Sequence, residues 1–127
     1  MGVRKTIVPA AVMIAAVPVL AQSGWTHIGQ ATAAASARSA TIAAQGDPRH
    51  RQVMVCVEGH VIRLNDTVLR YKDGRAQTLQ LRARIPDGGC SRMTELGGRT
   101  RQIESAEVGY DPATLQGGSA TVQLFAR

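Results

Sequence analysis

Aromatic side chains are scarce in this sequence: one Trp, two Tyr and one Phe in 127 residues. Rings cannot interleave with basic residues to stack the bases of a single strand, so no nucleic-acid partner is expected. An exposed aromatic platform for neutral sugars could draw only on Trp25 and Phe125, and Trp25 reads as core. The core has to be built from Val, Leu, Ile and Ala. Lysine is almost missing too. Of 15 basic residues only Lys5 and Lys72 are lysines. Positive charge is carried by planar guanidinium groups, which grip carboxylate and phosphate in a bidentate way that lysine cannot.

Cysteine is limited to Cys56 and Cys90. The histidines His27, His50 and His60 form neither a His-x-His nor a His-Glu-x-x-His pair, and two thiols are too few for a zinc site. His50 lies between Arg49 and Arg51, which repel a cation. No metal and no cofactor are expected. No Gly-x-Ser-x-Gly elbow occurs, and Ser91 beside Cys90 and Ser105 beside Glu104 stand alone. Glu104 and Glu107 are odd-spaced on a strand, so they are expected on opposite faces and not as a glycosidase pair. The chain is read as non-catalytic, with a small hydrolase built on a scattered triad as the least favoured alternative.

Long hydrophobic runs are lacking as well. A membrane-spanning helix takes about 20 apolar residues. The charge-free, mostly apolar stretch 6–21 has only sixteen residues and is broken by Pro9 and Pro18. It follows Arg4 and Lys5 and closes on Val19-Leu20-Ala21, a small-residue cleavage pattern. Residues 1–21 read as a secretory signal peptide cut after Ala21, with an uncleaved anchor as the alternative. The protein is expected in the periplasm or secreted, touching the membrane only through the signal peptide during export.

What remains is long enough for one domain with a modest core. Without Arg4 and Lys5 it keeps 13 basic against nine acidic residues, a formal charge of +4. That balance suits an anionic polymer of the cell envelope, and equally suits ordinary solubility. In an exported protein an even cysteine count favours a Cys56–Cys90 disulfide, since a free thiol there is open to oxidation.

The segment 22–45 is rich in Ala, Ser and Thr. Alanine favours helix, but this stretch has no large apolar face to dock one. One or two strands are expected in it, near 25–33 and 40–44. Gly46-Asp47-Pro48 then breaks the chain, and 46–127 forms the body. Val53-Met54-Val55-Cys56-Val57 is apolar on both faces, as a strand inside a sandwich is. Residues 61–71 form the next strand, with Asn65-Asp66 marking a bulge or break. Asp73-Gly74 is a hairpin signal whose two residues are expected at positive φ. Leu79, Leu81, Ala83 and Ile85 alternate with Gln80, Arg82 and Arg84, a half-buried strand with a charged outer face. Short strands follow near 93–96, 103–110 and 120–126, the last with Phe125 turned outward. The pattern predicts an all-β fold, a single antiparallel β-sandwich or jelly roll of seven to eight short strands.

The turn residues also form a recognisable order. Trp25-Thr26-His27-Ile28-Gly29, Tyr71-Lys72-Asp73-Gly74-Arg75-Ala76-Gln77, Ile85-Pro86-Asp87-Gly88-Gly89, Gly97-Gly98-Arg99-Thr100-Arg101-Gln102-Ile103 and Val108-Gly109-Tyr110 span most of the chain after residue 21. With them the sequence resembles a family of small exported bacterial β-sandwich proteins that carries only a domain-of-unknown-function label. The resemblance implies an envelope location and an all-β fold. It implies no reaction, and the two cysteines look like a local elaboration outside the shared pattern.

The candidate site is a basic face. Arg82 and Arg84 share the outer side of one strand, and Arg99 and Arg101 share a side of another segment. If those segments are neighbours, four guanidiniums meet and can bind phosphate or carboxylate groups. The competing expectation is that Glu95, Glu104 and Glu107 neutralise them in cross-strand pairs. The expected function is an exported, non-catalytic binding module for an anionic envelope polymer or another envelope protein. The alternative is a structural protein that self-assembles through a sheet edge.

Overall fold

The computed structural model describes residues 24–45, 49–97 and 100–127. The expected signal peptide and Arg99 lie outside the described residues. The strands are β1 (Thr26–Ala34), β2 (Ser39–Ala43), β3 (Gln52–Glu58), β4 (Ile62–Tyr71), β5 (Ala76–Leu79), β6 (Ala83–Ile85), β7 (Thr94–Glu95), β8 (Ile103–Asp111) and β9 (Ser119–Ala126). One sheet has the order β1-β9-β3-β7, and the other β2-β8-β4-β5 with β6 also on β4. All pairings are antiparallel. The chain is a two-layer all-β sandwich, with β1 and β2 of the Ala-rich segment in different sheets. Val53, Val55, Val57, Leu64, Leu69, Ala106, Val108, Val122 and Leu124 fill the interior. Alternation along each strand puts one face into that core, and its side chains are indeed aliphatic.

Among the described residues there are nine strands, not seven or eight. The extra strand arises where 79–85 was expected to run unbroken. The Leu81 N–H bonds the Leu79 carbonyl at 3.0 Å, a tight turn that separates β5 from β6. Burial still alternates: Leu79, Leu81 and Ile85 are buried while Gln80, Arg82 and Arg84 are exposed. A pattern of period two survives a kink of this kind, so periodicity alone does not reveal it. The kink has a partner on β4. The β4–β8 register shifts between Leu64 and Thr67, which places a bulge at Asn65-Asp66 as expected. β5 pairs with Thr67–Arg70 beyond the bulge, and β6 with Ile62–Leu64 before it.

Two further details differ from expectation. In the β4–β5 hairpin only Gly74 has positive φ, at 92°. The Gly74 N–H bonds the Tyr71 carbonyl and the Tyr71 N–H bonds the Arg75 carbonyl, at 3.0 and 2.8 Å. This is a three-residue loop with one left-handed glycine, not a two-residue turn with two. Glu104 and Glu107 are both exposed, because the β4–β8 register shifts again where Arg70 and Tyr71 face Ser105 and Ile103. That skip absorbs the odd spacing.

Candidate arginine groove

The segment between β6 and β7 determines the site's shape. Cys90 is disulfide-bonded to Cys56 on β3, 34 residues away in sequence. Backbone bonds fix the same segment: Val57 N–H to Gly89 carbonyl, Gly88 N–H to Val57 carbonyl, and Ser91 N–H to Val55 carbonyl, at 2.7–2.9 Å. Residues 88–91 thus extend the pairing of β7 along the edge of β3. Ser91 is consumed by this arrangement: its Oγ accepts from the Val55 N–H and donates to the Arg92 carbonyl, both at 3.0 Å. The disulfide belongs to a second small cluster of Trp25, Met54, Cys56 and Phe125 on the outer face of that sheet. Phe125 does point outward, as read from the alternation, yet it is only 2% exposed. Trp25 and Phe125 are both buried, so neither offers a platform.

The anchored segment faces the kink between β5 and β6 across a groove of about 390 Å³. Leu81, Ala83, Ile85 and Pro86 supply its apolar lining, and Arg82, Arg84 and Arg92 its charge. Arg92 reaches across: its Nη2 donates to the Gln80 carbonyl at 2.7 Å. Arg82 is held differently. Its Nε and Nη2 donate to the two Asp66 oxygens at 2.9 and 3.2 Å. This fork holds the kink against the bulge, and it keeps the Asp66 carboxyl below its usual range, chiefly by the hydrogen bond. Neutralisation of Arg82 therefore comes from Asp66, not from Glu95, Glu104 or Glu107. Glu95 instead accepts from the Gln52 amide at 2.6 Å. Among the described residues Arg84 makes no ion pair. It lies directly across from Arg63 on β4.

Arg101 is elsewhere. It forms an isolated backbone bridge with His50 and lines a different depression with Arg49, Tyr71 and Asp73. Its guanidinium lies 4.9 Å from the Tyr71 ring centroid, and its Nε donates to the Leu96 carbonyl at 3.3 Å. Arg82 and Arg84 are brought together, then, while Arg101 is on a separate part of the surface. The residues that sequence reading did not single out are Arg92, Arg63 and Arg38. Arg63 carried a signal, since it alternates with Ile62 and Leu64. For Arg92 the available signal was its place two residues after Cys90, which the expected disulfide would anchor.

A family model described as Domain of unknown function (DUF2541) matches residues 7–126, and the chain belongs to that family. A search of the curated proteins found no match. Among solved structures, the chain is similar to one from "Structural and functional characterization of Pseudomonas aeruginosa AlgX", with a TM-score of 0.53 and 15% identity. The similarity covers 80% of this chain and 27% of that one, so this chain spans about a quarter of the length of that one. At such identity the likeness is one of fold.

Proposed function

From membership of a family that has a fold but no assigned activity, we propose that the protein is an exported, non-catalytic binding module. It holds an anionic polymer of the envelope at the groove bounded by Arg82, Arg84 and Arg92. The observation that carries this reading is that Arg84 and Arg92 flank an apolar-lined groove with no carboxylate bonded to either among the described residues. Guanidinium groups without a carboxylate partner keep donors for phosphate or carboxylate, although Arg92 also gives one N–H to the Gln80 carbonyl. Export is supported by the Cys56–Cys90 disulfide, a bond that persists in oxidising compartments, and by the signal-peptide pattern of residues 1–21. The self-assembling alternative rests on the edges formed by β1 and β2, of nine and five residues. At the opposite edges β5, β6 and β7 have only four, three and two residues, and short edge strands resist pairing with another copy.

The test is co-sedimentation of residues 22–127 with isolated envelope fractions across a salt series. Binding that weakens steeply with salt is the expected result. Charge reversal at both Arg84 and Arg92 should abolish it without loss of the β circular-dichroism signal. Binding that survives the double reversal sinks the proposal.

A further inference from the structure

The groove does not end at Arg84. Arg84 on β6, Arg63 on β4 and Asp111 on β8 occupy directly opposed positions in one row across the sheet. Arg38 lies just before β2, where its carbonyl accepts from the Tyr110 N–H at 3.0 Å. Arg38 and Arg63 line a second depression, about 440 Å³, together with Asn65, Tyr110 and Asp111. Two depressions therefore flank a saddle made by the Arg63–Arg84 pair. Like charges directly opposed across strands destabilise a sheet. Here neither guanidinium has an ion-pair partner among the described residues.

Two carboxylates lie near this path, one ion-paired and one, Asp111, opposite Arg63 without an ion pair among the described residues. Asp66 is held by Arg82. Asp111 caps the 3-10 turn Pro112–Leu115, accepting from the Ala113 N–H at 3.0 Å. Among the described residues lining the two depressions, Arg38, Arg63, Arg82, Arg84 and Arg92 meet one carboxylate, Asp111, with Asp66 bonded to Arg82 beside them. Glu107, the next carboxylate on β8, lies four residues from Asp111, roughly 13 Å along the strand.

We infer that a linear polyanion crosses the strands of this sheet, running from the groove over Arg84 and Arg63 to Arg38. The inference rests on the binding reading proposed above and adds a direction and a minimum length. Neighbouring strands are about 4.8 Å apart, so Arg84 to the β2 side covers about 14 Å. The ligand is a polymer with phosphate or carboxylate groups recurring on a spacing of about 5 Å, or a small multiple of it. A single anionic group satisfies the groove alone, and only a chain reaches Arg38.

The experiment compares long-chain polyphosphate, poly-L-glutamate and tripolyphosphate by titration calorimetry on residues 22–127. At least one long polymer should bind more tightly than tripolyphosphate. Arg63→Glu with Arg38→Glu should weaken that polymer about tenfold, and flatten its dependence on the logarithm of salt concentration by about two. The same pair should change tripolyphosphate binding less than twofold. All four positions are exposed, and circular dichroism checks that each variant folds. If only one of the polymers binds, its anionic group is the one recognised. If Arg84→Glu with Arg92→Glu abolishes polymer binding while the Arg63/Arg38 pair leaves it intact, the crossing is wrong and the groove stands. If neither polymer binds, the crossing falls together with the groove.

Discussion

The arginines divide by what already holds them. Arg82 braces Asp66 at the bulge, Arg101 stacks on Tyr71, and Arg84 has no ionic partner among the described residues. Arg82→Ala should therefore lower the melting temperature, because it frees the kink between β5 and β6. Arg84→Ala should leave it unchanged or raise it, because it relieves repulsion from Arg63. Thermal melts of the two variants at low salt test this, and equal losses contradict it. His50 sets a pH limit. It is buried beside its backbone bridge to Arg101, and burial pushes its imidazole below the ordinary value. The folded state thus resists protonation more than the unfolded state does. Its stability is complete above the unfolded value of about 6.5 and declines as pH drops through that value toward the folded one. His50→Gln should flatten the decline of stability as pH falls below about 6.5. A profile that keeps its full slope argues against His50 as the source.

β1 and β2 meet closely at Gly29. β1 leaves regular pairing between His27 and Gly29 and leans on β2, where the Gln45 N–H bonds the Ile28 carbonyl at 2.7 Å. A Cβ on Gly29 would stand 2.5 Å from the Ala43 carbonyl oxygen and 2.7 Å from the Ile42 methyl. Backbone cannot yield as a side-chain tip can, so Gly29→Ala should cost about 1–3 kcal/mol. Gly74→Ala acts through φ instead and should cost about 1 kcal/mol. Urea titrations of both variants check the ranking, and a neutral Gly29→Ala would contradict the close approach of β1 and β2.

For the whole molecule the disulfide is the long-range link. It ties the segment carrying Arg92 to β3 and closes a span of 34 residues. In the chain-entropy model such a loop contributes roughly 4 kcal/mol. Cys56→Ala with Cys90→Ala should lower the urea midpoint accordingly. Hydrogen exchange should then rise first at 88–91, where only a few backbone bonds remain. Uniform loss of protection across both sheets would contradict that local role.

Strand identity was legible in the sequence because alternation is a local property. The faces of β4, β8 and β9, the bulge at Asn65-Asp66 and the two strands of the Ala-rich segment all follow from side-chain order and the period of two. The family resemblance, too, was carried by turn residues in sequence order. Which strands become neighbours is not a local property. Arg82 and Arg84 adjoin by sequence, whereas Arg84 meets Arg63 and Arg92 only through β-pairing and a disulfide-anchored loop. Arg101 has the same alternating setting as Arg84 but is drawn onto Tyr71 by a contact across 30 positions. Composition and period determined an arginine-rich sandwich, and the tertiary pairing decided which guanidiniums share a surface and which are already occupied.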